Sequence, residues 1–218
     1  MTRNAMVCAM ALALVTMATG ALAAKNQVGV KGGVAIEKLG GSDVESDQID
    51  SRTGFVGGGY FQTDLSRNFG LRVEALYFAK GASTDSLGLK VTIKVDYLEF
   101  PILAVVNVPM SETSRLSIFG GPTLGFNVSS KLAASYMGYS ASVGIGDAIT
   151  TFEFGMTFGA GVSFDAGSAI IGVDGRYGFG LTTIADTGYT ADFGVPNADV
   201  KNKGFAIMGS IGFPVGAK

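Results

Sequence analysis

Carboxylates are the side chains best suited to chemistry in this sequence, because the chain has no histidine and only one cysteine, Cys8. Nucleophilic catalysis by serine or cysteine normally needs a histidine base, so that mechanism is excluded. A pair such as Glu74 and Glu99 has the chemistry for general acid and base catalysis. The alternation described below places both inside a filled interior that no large substrate reaches. We therefore predict no enzymatic activity, no catalytic residue and no cofactor.

A second group of carboxylates lies in the first long polar segment, at Asp43, Glu45, Asp47 and Asp50. Alternating oxygen donors of this kind can bind Ca²⁺. However, the glycine and the closing glutamate of an EF-hand loop are missing. A solvated acidic loop is the favoured interpretation, and no metal ligand is predicted; calcium binding by residues 43–50 stays as the alternative.

The composition points to a membrane environment. Hydrophobic residues make up 47% of the chain and charged residues 16%, against about 25% charged in ordinary soluble domains. The net charge is −2 and no run of lysine or arginine occurs, so nucleic-acid binding has no electrostatic basis.

The N-terminus has the features of a cleaved signal peptide over residues 1–23. Arg3 gives a positive start, an apolar stretch follows, and Ala21-Leu22-Ala23 supplies the small residues of a cleavage site. The stretch is shorter than the roughly 20 residues of a membrane span. We expect an exported domain over residues 24–218, without cysteine because Cys8 is removed.

The remaining chain alternates with period two, which predicts β-strands. In the clearest strand one face is apolar and the other carries Glu153, Gly155 and Thr157. The apolar face consists of Phe152, Phe154, Met156, Phe158, Ala160, Val162 and Phe164. Eight such segments occur, near 28–37, 55–64, 71–75, 91–108, 116–128, 152–164, 171–177 and 205–213. In the fourth the phase changes: Val91, Ile93 and Val95 are odd-numbered, whereas Leu98, Phe100 and Ile102 are even-numbered. We expect the even face to meet lipid from Leu98 onward, with Tyr97 and Glu99 turned inward and Lys94 and Asp96 above the bilayer.

The connections alternate in length. Those at 65–68, 109–114 and 165–168 are short, whereas those at 38–53, 79–90, 130–149 and 180–199 are long and polar. Short periplasmic turns and long extracellular loops are typical of outer-membrane barrels. The sequence thus predicts an all-β fold, an eight-stranded antiparallel up-and-down transmembrane β-barrel in the bacterial outer membrane.

A soluble eight-stranded barrel is the alternative, with its apolar face inward. We favour the membrane barrel because the apolar face is almost free of charge, whereas the other face is rich in small residues and carries charges of both signs. Phe152, Phe154, Met156, Phe158, Val162 and Phe164 are then predicted to face lipid. The predicted lumen charge network is Lys31, Arg72, Glu74, Glu99, Glu153, Asp174 and Arg176.

Inside a narrow barrel these charges should pair, because isolated buried charges are unfavourable. A paired polar core is the favoured interpretation, and an ion or proton path is the alternative. The chain has no tryptophan, so an interfacial aromatic belt would have to come from Tyr60, Tyr77, Tyr97 and Tyr177.

Several motifs occur in an order that resembles the PorT-like family of outer-membrane β-barrel proteins. They are Val30-Lys31-Gly32-Gly33, Arg72-Val73-Glu74-Ala75-Leu76-Tyr77, Tyr97-Leu98-Glu99-Phe100-Pro101, Phe119-Gly120-Gly121-Pro122 and the stretch from Asp174 to Leu181. The resemblance implies an eight-stranded outer-membrane barrel, in a family with one branch associated with protein secretion, and it supplies no catalytic residue. One departure is the end of the chain, where five residues follow Phe213 instead of a terminal aromatic residue.

Two functional hypotheses follow. The first is a structural or interaction scaffold of the cell envelope that contacts outer-membrane lipid and presents its four long loops, 38–53, 79–90, 130–149 and 180–199, to a protein partner. The alternative is a small-solute pore or transporter, or a component of a protein secretion system.

Overall fold

The computed structural model describes residues 25–41, 50–86, 89–137, 139–186 and 199–216. The predicted signal peptide lies outside these ranges. Over them the chain forms nine strands and one short 3-10 helix at Gly146–Ala148. The strands are β1 (Lys25–Gly40), β2 (Asp50–Asp64), β3 (Phe69–Ser86), β4 (Leu89–Pro109), β5 (Ser114–Tyr136), β6 (Tyr139–Gly144), β7 (Phe152–Asp165), β8 (Ile170–Gly180) and β9 (Lys201–Val215). No helix within the described ranges is long and apolar enough to cross a membrane.

Eight of the strands close into a ring. Each pairs antiparallel with its neighbour in the order β1 to β5, then β7, β8 and β9, and β9 pairs back to β1. Strand β6 pairs with β5 beside the ring. The predicted eight-stranded antiparallel up-and-down barrel is confirmed. Closure matters because it leaves no ring strand with an open edge in lipid, where unpaired backbone groups are costly.

The barrel is inverted relative to a soluble one. In β1, Val30 and Val34 are exposed, whereas Lys31, Ala35 and Glu37 on the other face are buried. The same arrangement recurs in β8, where Ile171 and Val173 are exposed. An apolar exterior around a polar interior is the arrangement of a membrane barrel.

The three short turns are confirmed, at residues 65–68, 110–113 and 166–169. Two of the predicted long loops are wrong. Residues 79–90 are nearly all strand, because β3 runs to Ser86 and β4 starts at Leu89. Residues 130–149 contain the end of β5, all of β6 and the 3-10 helix. Above the membrane the outer face of the barrel is polar. The alternation of apolar and polar residues is therefore lost there, although the strands remain paired through backbone hydrogen bonds.

The other two predicted loops are described in part. Strands β1 and β2 leave residues 42–49 between Gly41 and Asp50, and residues 187–198 follow β8; both segments lie outside the described ranges. We call the sheet formed by residues 79–86, 89–96, 129–136 and 139–144 the extension. It makes the barrel wall taller at β3 to β6 than elsewhere.

The change of hydrophobic pattern along β4 has a structural cause. Val95, Tyr97, Glu99, Leu103 and Val105 are all buried, so the odd-numbered residues point inward along the strand. The even-numbered face is exposed at 102, 104, 106 and 108 and carries Lys94 higher up. The chain therefore keeps one phase in β4, and what changes is the environment: the upper interior is apolar. On the neighbouring strand β5 the pairing register shifts at this point: Ser129 is opposed to Asp96, whereas Asn127 is opposed to Tyr97.

Candidate functional site

Five charged side chains meet in the barrel interior and form what we call the central cluster: Lys31, Arg72, Glu74, Asp174 and Arg176. Arg176 donates to the two oxygens of Glu74, at 2.6 and 3.1 Å. Lys31 Nζ donates to Glu74 Oε1 at 2.8 Å and to Asp174 Oδ2 at 2.9 Å. Arg72 lies farther away, 3.9 Å from Glu74. Strands β1, β3 and β8 bring these residues together from distant parts of the sequence.

Aromatic rings and an amide complete the surroundings of the cations. Phe119 points inward between two guanidinium groups, with Arg72 Cζ at 5.2 Å and Arg176 Cζ at 5.3 Å from its ring centroid. Tyr60 lies under Lys31 Nζ at 5.1 Å, and Arg72 donates to Gln62 at 2.8 Å. Cation–π contacts of this kind gain strength when water is excluded. The inward-facing Phe119 was not among the predicted interior residues.

A second group lies nearer the extracellular end, and we call it the upper cluster: Glu37, Lys80, Glu99 and Glu153. Lys80 Nζ lies 2.5 Å from Glu99 and 3.5 Å from Glu153. Asn202 also donates to Glu153, at 3.0 Å. Lys80 and Glu37 are interior charges that the sequence did not lead us to expect, Lys80 because residue 80 was assigned to a loop. The signal for both was available: residues 31, 35 and 37 share a face in β1, and residues 74, 76, 78 and 80 share one in β3.

The upper cluster holds three carboxylates and one ammonium group. Within the described part of the chain, one of its buried polar atoms, Glu153 Oε1, has no hydrogen-bond partner. A cavity of about 30 Å³ is lined by Glu153 together with Glu37, Lys80 and Glu99. Space of this size, with several polar partners, suits one or two ordered water molecules.

Above the upper cluster the interior is apolar. Leu39, Ala82 and Val95 are buried there, together with Ile184 from the segment after β8, whereas Leu76, Phe78 and Met208 of the same apolar cluster lie lower, at the level of the charged clusters. Ile184 is held by backbone hydrogen bonds with Thr150 and Val200, at 2.8 and 2.7 Å. This segment therefore places an apolar side chain, Ile184, in the extracellular end of the interior, and we call this side chain the plug.

The two carboxylates considered for acid and base catalysis lie in different clusters, and each has its own cation as a partner. Glu74 belongs to the central cluster and Glu99 to the upper cluster, and each is bound to a buried cation. Among the acidic-loop residues Asp43, Glu45 and Asp47 lie outside the described ranges, and Asp50 begins β2. No group of three metal-ligating side chains occurs among the residues that the structure describes.

The six residues predicted to face lipid all lie on the outer side of β7. Phe152, Phe158 and Phe164 are exposed, and Phe154, Met156 and Val162 are partly covered by neighbours, whereas Glu153 and Thr157 are buried. Of the tyrosines considered for an interfacial belt, Tyr77 and Tyr177 are on the exterior, about 40% exposed. Tyr60 and Tyr97 are buried in the interior, so their assignment to a belt is wrong. The side chains of Tyr60 and Tyr97 fit into interior space beside Lys31 and Glu99.

A closed ring of eight strands with an apolar outside and a charged, packed inside defines an outer-membrane β-barrel protein of bacteria. The chain belongs to the family described as outer membrane protein beta-barrel domain, whose model matches residues 22–186. The protein is therefore located in the bacterial outer membrane, in contact with lipid. No curated protein has a sequence detectably similar to this chain.

Three solved structures to which this chain is similar are outer-membrane or surface proteins. Ail, the attachment invasion locus protein of Yersinia pestis, is 16% identical, with 88% of this chain and 99% of that chain covered and a TM-score of 0.43. OprG from Pseudomonas aeruginosa is 13% identical, with 89% and 97% covered and a TM-score of 0.49. Neisserial surface protein A is 9% identical, with 86% and 97% covered and a TM-score of 0.48.

Proposed function

We propose that this protein is a non-enzymatic, non-conducting scaffold of the outer membrane that presents its extracellular extension to a protein partner. The observation that carries the proposal is the filled interior. Two clusters of buried ion pairs and the plug occupy the barrel, and the two cavities beside the clusters measure about 30 and 40 Å³. Each has room for a water molecule or two, which is far too little for a solute.

Single-channel recording in planar bilayers tests the absence of conduction. We expect no discrete current steps from the purified protein. The double variant Ile184→Gly, Phe119→Ala removes two interior side chains. It serves as a control for the conductance measurement, because it opens space at both ends of the barrel interior. Regular steps from the unmodified protein would contradict the scaffold and favour the alternative, a small-solute pore.

The extension offers a binding edge for the partner. Within the described residues β6 pairs with β5 alone, and all six of its residues are exposed. Its sequence, Tyr-Ser-Ala-Ser-Val-Gly, contains no charged residue and no proline. Charged residues and prolines are the features by which proteins usually protect a free edge. An extended segment of a partner can pair with such an edge through backbone hydrogen bonds. We propose strand addition at β6 as the mode of binding.

Proline substitutions at Ala141 and Ser142 test this mode. Neighbouring residues of an antiparallel strand direct their N–H groups to opposite edges, so one variant affects pairing with β5 and the other affects the free edge. With a photoreactive side chain at Val143, intact cells should yield a discrete cross-linked product. The free-edge variant should lose that product while the barrel still folds; equal products from both variants would contradict strand addition.

We also propose two finer assignments. The chain carries a cleaved signal peptide over residues 1–23 ahead of the barrel domain 24–218, which N-terminal sequencing of the protein from outer membranes will test. The second assignment is to the PorT-like family of outer-membrane β-barrel proteins, supported by the ordered motifs from Val30 to Leu181. Loss of protein export after deletion of the gene would favour the alternative of a secretion component over a scaffold.

A further inference from the structure

Two lysines face each other on the outer surface of the extension. Lys94 of β4 and Lys131 of β5 are directly opposed in the antiparallel register. Their neighbours Val95 and Ser130 are buried on the interior side, so both ammonium groups point outward, and both lysines are exposed. Opposed side chains have Cβ atoms about 4.5–5.5 Å apart, and like charges in this position are destabilising.

No carboxylate among the described residues forms an ion pair with either lysine. Asp96, on the same face, lies 3.9 Å from Arg52, and Asp85 is opposed to Lys90. Asp50 begins β2, two strands from β4, which is about 10 Å away at normal strand spacing. Among the described residues, therefore, no carboxylate lies within ion-pair distance of either lysine.

The residues opposed to the two lysines on the neighbouring strands also bear on how accessible the lysine pair is. Lys94 is opposed to Gly81 on its β3 side, and Lys131 is opposed to Gly144 on its β6 side. Around a Cβ placed at Gly144 there is no atom within 4 Å, so the Lys131 side is open, whereas a Cβ placed at Gly81 would lie 3.4 Å from Arg52 Nη1, so a third cation lies on the Lys94 side. Beside Lys94 lies an open groove of about 570 Å³ lined by Arg52, Lys90, Ser83, Thr92 and Ser135.

The height of the pair relative to the bilayer identifies the anion. On β4 the outward apolar positions run from Leu98 to Val108, which is about 33 Å along the strand and about 25 Å along the membrane normal at a tilt of about 40°. This equals the height of the apolar band of outer-membrane barrels. Lys94 lies four residues above Leu98, or about 10 Å higher, at the level of the lipid head groups.

We propose that Lys94 and Lys131 bind a phosphate group of an outer-leaflet lipid, held between the two ammonium groups. A phosphate at this position converts a repulsive pair into two charge-assisted contacts. The inference rests on the location of the barrel in the outer membrane and is independent of the scaffold function.

Binding of bisphosphorylated lipid A to the purified protein in neutral detergent tests the site. A basic residue near a membrane surface contributes about 1 kcal/mol, so Lys94→Gln or Lys131→Gln should weaken binding about fivefold, and the double variant about 30-fold. The matched control is Lys201→Gln, because Lys201 has its own carboxylate, Asp199, at 2.8 Å; its affinity should not change. Dephosphorylated lipid A should bind no better to the unmodified protein than to the double variant.

Two further measurements distinguish binding of the lipid from binding of free phosphate. Inorganic phosphate at millimolar concentration should not displace the lipid; displacement would identify a free-phosphate site and overturn the proposal. In detergent without lipid, Lys131→Glu should raise the thermal unfolding midpoint, because it replaces repulsion with attraction, and yet abolish lipid A binding. Unchanged lipid affinity in the double variant would also overturn the proposal.

Discussion

Replacing Glu74 by glutamine tests the idea that the central cluster holds the barrel together. Glu74 has no exposed surface and accepts hydrogen bonds from Arg176 and Lys31, with Arg72 at 3.9 Å. The amide is almost the same size, so packing is preserved. What changes is the charge: three cations and two carboxylates become three cations around Asp174 alone.

The expected magnitude follows from burial. Removing one partner of a buried ion pair leaves an uncompensated charge and typically costs about 3–5 kcal/mol. Glutamine keeps one oxygen as an acceptor, but its NH₂ group is a further donor facing a guanidinium group. We therefore expect Glu74→Gln to lower the free energy of unfolding by about 3–5 kcal/mol.

Urea unfolding in lipid vesicles measures the effect, with the folded fraction read from the mobility shift of unheated samples on gels, since the chain has no tryptophan for fluorescence. The control is Glu112→Gln, in the exposed turn between β4 and β5, which should change stability by less than about 0.5 kcal/mol. In a double-mutant cycle with Arg176→Gln, the two changes together should cost about 1–3 kcal/mol less than their sum. A loss below about 1 kcal/mol for Glu74→Gln, or strict additivity, would refute the reasoning.

The remaining predictions concern the lipid face and the packing of the wall. Phe158 lies midway along β7, so Phe158→Arg should lower the free energy of unfolding by about 2–4 kcal/mol in the same unfolding assay. Phe164 lies near the strand end, so Phe164→Arg should lower it by about 0–1 kcal/mol. Equal losses for the two variants would contradict the assigned bilayer position. A Cβ at Gly33 would clash with the backbone of Ile207, whereas one at Gly209 meets nothing within 4 Å. Gly33→Ala should therefore cost about 1–3 kcal/mol or prevent folding, and Gly209→Ala should fold normally on a gel; normal stability of Gly33→Ala would disprove the close approach.

Where lipid contacts the wall, the fold could be read from the sequence. Period-two alternation from Phe152 to Phe164 fixes both the strand and its two faces, because one face must be apolar and the other must fit a narrow interior. The short turns were predictable for a related reason, since breaks in the alternation are brief at the periplasmic end. The same logic put Glu153 and Asp174 on the inner face.

Above the membrane the same reasoning failed. Residues 79–90 and 130–149 form strands in a setting where lipid no longer selects apolar side chains, so their polar sequences resembled loops. Lys80 was missed as a result, and the aromatic residues Tyr60 and Phe119 were missed as interior residues because apolar rings were expected to face lipid; of the interior rings, Tyr97 was correctly predicted to turn inward. Inside the barrel these rings pack against the buried cations instead.

By itself, the sequence determined the class of fold, the number of ring strands and the membrane in which the barrel lies, because alternation and turn spacing are local properties. Only the tertiary structure decided which charges are partners, where the plug packs in the interior and that Lys94 is opposed to Lys131. Those contacts join residues far apart in the chain, as Lys31 and Asp174 are, and they depend on the register in which the strands close. Register is a property of the whole ring, and a single-residue slip would place every side chain of a strand on the other face.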